Sequence, residues 1–206
     1  MKRLLFLNLG PYFVPTEIPV SEYYQWLSKE FEGDVFAVVH RKEFRSFTLG
    51  NFKLTGVYLP RWVRGYSLLR DIIYAVFVCT RGPIRHFFRK KYDVVICKEP
   101  LVTGVLALLL GKLCSIRSIV EVNGNFESAF LANSQSASVV ERLKSGYATT
   151  VIPRVLGHAD GVKLVYPPQL NGLLIAIAQD RLFAFPNFVP ISRFSPSDED
   201  KRYVLF

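Results

Sequence analysis

Short apolar runs alternate with longer stretches of helical periodicity along nearly the whole chain. The runs read as strands at residues 4–8, 34–39, 53–59, 93–97, 118–122, 161–166 and 182–185. They lack the polar residue at every second position that marks a half-exposed strand, and such runs are typical of parallel sheets covered on both faces. The pattern therefore predicts a doubly wound α/β domain with a Rossmann-like parallel sheet.

The segments between these strands predict the crossover helices. Ser21 is placed to cap a helix that Gly33 ends, and a helix from about residue 68 meets Gly82-Pro83, which breaks or kinks it. Further helices are predicted at residues 100–113, 137–157 and 168–178. Because residues 100–113 are apolar all round, we expect that helix to be buried between the sheet and another layer.

The last residues indicate a second domain. Tyr203-Val204-Leu205-Phe206 reads as a strand just begun, after a stretch rich in proline and charge. We therefore expect residues 1–198 to form a first domain and residues 199–206 to begin another. On this interpretation the chain alone is incomplete and inactive.

The charge balance favours anionic partners. Twenty-six Lys and Arg against 17 Asp and Glu give a net charge of +9, which suits phosphate-bearing ligands, an anionic membrane face or nucleic acid. Between residues 61 and 91 the only acid is Asp71, and the basic residues are Arg61, Arg64, Arg70, Arg81, Arg85, Arg89, Lys90 and Lys91. This stretch is either a solvated basic face or a surface for phosphate or lipid. No nucleic-acid reader motif accompanies the charge, so we expect no nucleic-acid partner.

Cysteine usage and hydropathy bear on the compartment. Cys79, Cys97 and Cys114 lie in apolar runs without metal-ligand spacing, which predicts free thiols in a reducing, cytoplasmic setting. The longest apolar stretches, 72–79 and 101–110, are shorter than the ~20 residues of a spanning helix. A peripheral contact at the inner membrane face stays open, and Arg85-His86-Phe87-Phe88-Arg89 favours one.

Candidate site residues follow from the predicted sheet, because ligands bind at the carboxyl ends of parallel strands. The set is Gly10, Glu17, Lys98, Glu99, Asn123, Gly124 and Glu127. Lys98 suits a phosphate, and the amide and carboxylate that follow the fifth strand suit sugar hydroxyls. The alternatives are an ordinary Asn-Gly turn, and a surface ion pair before the helix that Pro100 begins.

Several enzyme classes lack their fingerprints. The first loop has neither GxGxxG nor GxxxxGK[ST], so dinucleotide and P-loop sites have no support. His40, His86 and His158 are dispersed and form no HExxH or HxE pattern, and there is no GxSxG. A zinc enzyme or a serine hydrolase is therefore not indicated.

Five segments, in order along the chain, resemble motifs of the N-terminal domain of GT-B glycosyltransferases of the family 4 type. They are Lys91-Tyr92-Asp93-Val94-Val95-Ile96 with Glu99-Pro100, Ile119-Val120-Glu121-Val122-Asn123-Gly124, His158-Ala159-Asp160-Gly161-Val162, the run from Phe185-Pro186-Asn187 to Phe194-Ser195-Pro196, and Tyr203 to Phe206. The last of them is similar to the first strand of that family's second domain.

The resemblance implies a retaining glycosyltransferase of the hexosyltransferase type, as in polysaccharide biosynthesis. The nucleotide-sugar donor would be held mainly by the second domain, and this domain would hold a glycan or lipid-linked acceptor. No cofactor and no bound metal are implied, and the catalytic residues are not assigned. The family's histidine after the fifth strand is Asn123 here, which hydrogen-bonds but cannot act as acid or base. A non-catalytic partner subunit with a degenerate fold is therefore the alternative.

Overall fold

The strands of the described residues form one sheet of eight. The computed structural model describes residues 1–10, 13–64, 66–88, 91–123, 139–170 and 175–185. Its strands are β1 (Lys2–Asn8), β2 (Phe31–Val39), β3 (Ser46–Leu49), β4 (Phe52–Tyr58), β5 (Val94–Cys97), β6 (Arg117–Val122), β7 (Gly161–Leu164) and β8 (Leu182–Ala184). They stand in the order β3-β4-β2-β1-β5-β6-β7-β8, and every neighbouring pair except β3 and β4 is parallel. The predicted doubly wound parallel sheet is confirmed.

Helices connect the strands and cover both faces of the sheet. Those in the described ranges are α1 (Ile18–Leu27), α2 (Arg61–Arg64), α3 (Ser67–Phe88), α4 (Val102–Cys114) and α5 (Val139–His158). Short 3-10 turns lie at Lys42–Arg45, Pro167–Leu170 and Gln179–Arg181.

Each face of the sheet buries its own hydrophobic core. On one face, Phe6 and Phe52 pack with Tyr24 of α1. On the other, strand residues pack with side chains of α3, α4 and α5, among them Leu5, Phe36, Val95 and Val120 with Tyr74, Leu106 and Ile152. Successive residues of a strand point to opposite faces, so a sheet with two cores requires the unbroken apolar runs seen in the sequence.

The strand order reverses between β1 and β5. The chain builds outward from β1 to β2 and β4, then returns to the other side of β1 and continues through β5 to β8. The connections that leave β1 and β5 go to opposite faces, and a crevice forms between them at the carboxyl edge. Tyr74 of α3 braces this edge, because its hydroxyl accepts from the N–H of Asn8 at 3.0 Å and donates to the carbonyl of Phe36 at 2.8 Å.

The region between β1 and β4 differs from the sequence prediction. Helix α1 begins at Ile18 with Glu17 in the N-cap position, so Ser21 lies inside the helix rather than at its cap. It ends at Leu27, and Gly33 belongs to β2. The sequence does not predict β3, which pairs with β4 through a turn at Gly50, whose φ of 58° suits a residue without a side chain.

Three predicted helices also differ in the structure. Gly82-Pro83 does not break α3, which runs on to Phe88. In the predicted helix 168–178, the described residues contain only the end of a 3-10 turn and a stretch without regular structure. Helix α4 is not buried all round, since Val105, Leu109 and Leu113 are 40%, 41% and 55% exposed.

The cysteines are free thiols, as predicted, with Cys97 and Cys114 buried and Cys79 half-buried. Within the described ranges, no helix combines the length and the hydropathy that crossing a bilayer requires. The predicted domain boundary at residues 198 and 199 lies outside the described residues.

Candidate functional site

A cleft of about 230 Å³ opens at the carboxyl edge of the sheet, beside β1 and β5. Its walls are formed by Asn8, Phe13, Pro19, Val20, Tyr23, Tyr24, Lys98, Glu121, Asn123 and Lys163. Pro19, Val20 and Tyr23 belong to α1, so the cleft lies on the α1 face of the sheet. The crevice at the strand reversal is thus lined by both apolar and charged side chains.

Two lysines share one buried carboxylate in this cleft. The Oε2 atom of Glu121 lies 2.9 Å from Nζ of Lys98 and 3.7 Å from Nζ of Lys163. Glu121 and Lys163 are register partners on β6 and β7, so their side chains leave the sheet on the same face. We call these three residues the charge cluster. Its two ammonium groups and one carboxylate leave one positive charge in excess.

Burial and ion pairing act in opposite directions on the two lysines. Burial disfavours the ammonium form of Lys98, but Glu121 and the Tyr23 hydroxyl together outweigh it, so the pKa of Lys98 is raised. Burial lowers the pKa of Lys163, and the charge of Glu121 offsets this shift only in part. Burial also raises the pKa of Tyr23, although the charge of Lys98 opposes the shift. Lys98 is therefore the more persistent charge, and Lys163 loses its proton first as the pH rises.

Aromatic rings surround both ammonium groups. Nζ of Lys98 lies 4.8 Å from the ring centroid of Tyr23 and 5.5 Å from that of Phe6. Nζ of Lys163 lies 4.8 Å from the ring centroid of Phe185. Such contacts stabilise cations that have lost part of their hydration, so the cluster keeps its charge in a partly apolar cleft.

Asn123 joins the ends of β5 and β6 at the cleft. Its Nδ2 atom donates to the carbonyl oxygen of Lys98 at 3.0 Å and to Oε2 of Glu121 at 3.3 Å. The structure therefore brings Lys98 and Asn123, both candidates from the sequence, to one place. A side-chain amide there can hydrogen-bond hydroxyl groups but cannot exchange protons with them.

Glu99 does not line the cleft; its carboxylate caps α4. The two carboxylate oxygens accept hydrogen bonds from the N–H groups of Leu101 and Thr103, both at 2.6 Å. Burial raises the pKa of Glu99, although these N–H groups oppose the shift. Because successive residues of an extended chain point in opposite directions, Glu99 is separated from Lys98 despite being its neighbour.

The other candidates lie in different places. Gly10 follows β1, and its N–H donates to Oδ1 of Asn8, a cleft residue, at 3.0 Å. Glu17 is exposed at the start of α1 and does not line the cleft. Gly124 and Glu127 lie outside the described residues.

Sequence reasoning missed Glu121 and Lys163 as members of the site. Both are charged residues inside apolar strands, and buried charges require partners, which is the signal that could have found them. Their register across β6 and β7 is visible only in the structure. Gln169 helps to fix it, because its Oε1 accepts from the N–H of Val165 at 2.6 Å and its Nε2 donates to the carbonyl of Val122 at 2.9 Å.

Comparison with known proteins identifies the fold. No family model matches this sequence, and no curated protein matches it significantly. The structure is similar to sucrose-phosphate synthase from Thermosynechococcus elongatus, with a TM-score of 0.65 and 12% identity over 96% of this chain and 51% of that chain. It is also similar to UGT89C1 from Arabidopsis thaliana complexed with UDP, with a TM-score of 0.55 and 12% identity over 93% of this chain and 51% of that chain.

A third solved structure agrees with these two. HepE from Anabaena, in complex with UDP and glucose, matches with a TM-score of 0.57 and 10% identity over 96% of this chain and 48% of that chain. The chain thus spans about half the length of each of these three structures, which are GT-B glycosyltransferases. At these identities the likeness establishes the fold alone: the chain has the fold of one Rossmann-like half of a GT-B protein.

Proposed function

We propose that this chain is the acceptor-side half of a retaining glycosyltransferase that moves a hexose from a nucleotide-sugar donor to a glycan or lipid-linked acceptor. The observation that carries the proposal is the charge cluster beside Asn123, in the crevice where the strand order reverses. UDP in the UGT89C1 and HepE structures, which share this fold, supports a nucleotide sugar as the donor. In this proposal most of the donor is held by a second domain, which would account for the half of the matched structures that this chain does not span.

The cleft suits a reaction driven by positioning and electrostatics. Asn123 and the Tyr23 hydroxyl offer hydrogen bonds to acceptor hydroxyl groups. The excess positive charge of the cluster stabilises negative charge that develops on a departing diphosphate. Holding the acceptor hydroxyl against the sugar phosphate lowers the barrier further, and the phosphate oxygen itself takes the proton.

The test uses the full-length protein. We expect calorimetry to detect binding of a UDP- or GDP-sugar, and a radiolabelled donor to yield glycosylated product with a lipid-linked or glycan acceptor. Lys98→Met should slow transfer by about 100-fold through loss of the charge that stabilises the leaving group. Lys112→Met is the matched control, because Lys112 is an exposed lysine in the last turn of α4. A protein that binds neither class of donor contradicts the proposal.

The second candidate is a non-catalytic partner subunit with a degenerate glycosyltransferase fold. Asn123 favours this candidate for two reasons. Both hydrogen bonds of its Nδ2 atom hold the ends of β5 and β6 together. Its side-chain amide also cannot transfer a proton, as a histidine at this position could. A protein that binds a nucleotide sugar but neither transfers the sugar nor hydrolyses the donor would support this candidate. Turnover with any acceptor rejects it.

A further inference from the structure

The geometry points to the outer side of α3 as a surface that docks onto an anionic lipid membrane. This outer surface consists of Leu68, Ile72, Val76, Ile84, Phe87 and Phe88, whose exposed fractions run from 50% to 83%. It lies on the face of the sheet opposite α1, so it is separate from the cleft of the proposed function. The inference does not depend on that function.

Helix α3 is apolar on two opposite sides. Its inward line repeats every four residues through Tyr74, Val78, Gly82 and His86, which are buried. The outward line has the same spacing from Leu68 to Phe88 and contains one polar residue, Thr80. Packing in the hydrophobic core explains why the inward line is apolar, but it does not explain the outward line. A continuous apolar stripe that faces water marks an interaction surface.

Aromatic residues stand at both ends of the outer surface. Trp62 of α2 is 69% exposed and Tyr66, just before α3, is 65% exposed. Phe87 and Phe88 occupy the other end. Tryptophan and tyrosine prefer the headgroup level of a bilayer, where an apolar ring and a polar edge are both satisfied. A helix that lies in the plane of the interface has this distribution of residues.

The charges around the outer surface are basic. Asp71, the only acid of α3, is neutralised by Arg70 at 2.8 Å. Arg85 turns inward and pairs with Asp34. Arg81 is exposed, and the described part of the chain offers it no ion pair. The sequence then continues from Phe88 with three basic residues at positions 89–91. Apolar and basic groups side by side match acyl chains and anionic headgroups respectively.

The same charges disfavour a second copy of this chain as the occupant. A two-fold contact through the outer surface would place like charges from both copies against each other, and no acid of α3 is free to compensate. An anionic membrane offers the opposite charge. Because the inward side of α3 is packed on the sheet, only its outward side chains can enter the lipid.

The test is flotation of the purified chain with vesicles of phosphatidylcholine alone and of phosphatidylcholine with phosphatidylglycerol. We expect binding to the anionic vesicles that weakens as salt is added. Ile84→Ser combined with Phe88→Ser, and separately Arg81→Glu, should each weaken binding by about tenfold or more. Trp26→Ser and Arg45→Glu are the matched controls, since both residues are exposed but lie outside the outer surface. These controls should bind as the wild type does.

Three results overturn the inference. The first is no binding to anionic vesicles, with circular dichroism showing a folded chain. The second is binding that the Ile84→Ser and Phe88→Ser changes leave unaltered. The third is a wild-type dimer in analytical ultracentrifugation that these two changes convert to a monomer, which assigns the outer surface to self-association.

Discussion

The ammonium group of Lys98 and the carboxylate of Glu121 form an ion pair of 2.9 Å that joins the end of β5 to β6. Only 6% of the Glu121 side chain is exposed, against 24% for Lys98, so the carboxylate is the buried partner. Lys163 approaches the same oxygen from β7. The site therefore depends on one carboxylate that compensates two ammonium groups.

Replacing Glu121 by Gln should destabilise the protein by about 2 to 4 kcal/mol at neutral pH. The change leaves two ammonium groups close together in a poorly hydrated place, and removal of one partner of a buried pair is costly. The destabilisation of the variant relative to the wild type should shrink as the pH rises toward 10, because loss of a lysine proton removes one of the two uncompensated charges. Urea unfolding at several pH values measures both effects.

Glu43→Gln is the control for this change. Glu43 pairs with Arg41 at 3.1 Å, but both side chains are more than 60% exposed. We expect Glu43→Gln to lower the free energy of unfolding by less than about 0.5 kcal/mol, because exposed ion pairs contribute little to stability. Equal effects at Glu121 and Glu43 would mean that the charge cluster is not a buried electrostatic unit.

His86 should make the stability depend on pH below neutrality. Its Nδ1 atom accepts a hydrogen bond from the N–H of Tyr92 at 3.1 Å, which requires the unprotonated nitrogen. Burial and then Lys91 lower the pKa of His86, so the unfolded chain binds the proton more readily than the folded one. The free energy of unfolding should therefore fall as the pH drops below about 6.5, by at most about 1.4 kcal/mol per pH unit from this group.

The variant His86→Gln isolates this contribution. Its side-chain oxygen can accept from the N–H of Tyr92 but does not titrate. The difference in unfolding free energy between wild type and variant should change between pH 7 and 5, with the wild type losing more. A difference that stays constant over this range would show that His86 does not control the acid dependence.

The strands and their parallel arrangement could be predicted because burial on both faces leaves a direct record in the sequence. Apolar side chains are needed at every position in the buried centres of these strands, such as Leu4–Leu7 of β1 and Val35–Val39 of β2, whichever face each residue points to. Helix ends were less predictable. Ser21 is a good N-cap residue, but the chain enters the helix earlier, with Glu17 in the N-cap position four residues before Ser21. Pro83 fits within α3, so tertiary packing overrides a local signal there.

The site was predictable only in part. Lys98 and Asn123 were found because residues that end parallel strands gather at one edge. Glu121 and Lys163 were missed because their contact depends on the register of β6 and β7, which is set by packing rather than by local residue preference. Glu99 follows Lys98 directly, yet its carboxylate satisfies the N–H groups at the start of α4. Sequence adjacency thus says little about which side chains share a cleft.

Tyr92→Phe should cost about 1.5 to 3 kcal/mol of unfolding free energy, because a buried hydrogen bond to a charged group is lost. The hydroxyl of Tyr92 donates to Oδ2 of Asp34 at 2.7 Å, and Arg85 of α3 pairs with the same carboxylate. Tyr66→Phe, at an exposed position, should change stability by less than about 0.5 kcal/mol. Chemical denaturation of both variants provides the measurement, and a neutral Tyr92→Phe would show that Arg85 and Arg3 satisfy Asp34 without the hydroxyl.

Gly33→Ala should be among the most destabilising alanine substitutions in the sheet. Gly33 is the register partner of Leu4 on β1, and a Cβ atom at position 33 would collide with the main-chain carbonyl of Leu4. Main-chain atoms inside a strand ladder cannot move aside as a side chain does, so we expect a loss of unfolding free energy near the upper end of overpacking costs, about 3 kcal/mol.

Gly146→Ala is the matched substitution, because Gly146 lies inside α5 with no atom within 4 Å of the added Cβ. That change should stabilise the protein by about 0.5 to 1 kcal/mol through helix propensity. Thermal unfolding of the two variants should therefore move in opposite directions, and a shift of the same sign in both would contradict the close approach of β1 and β2.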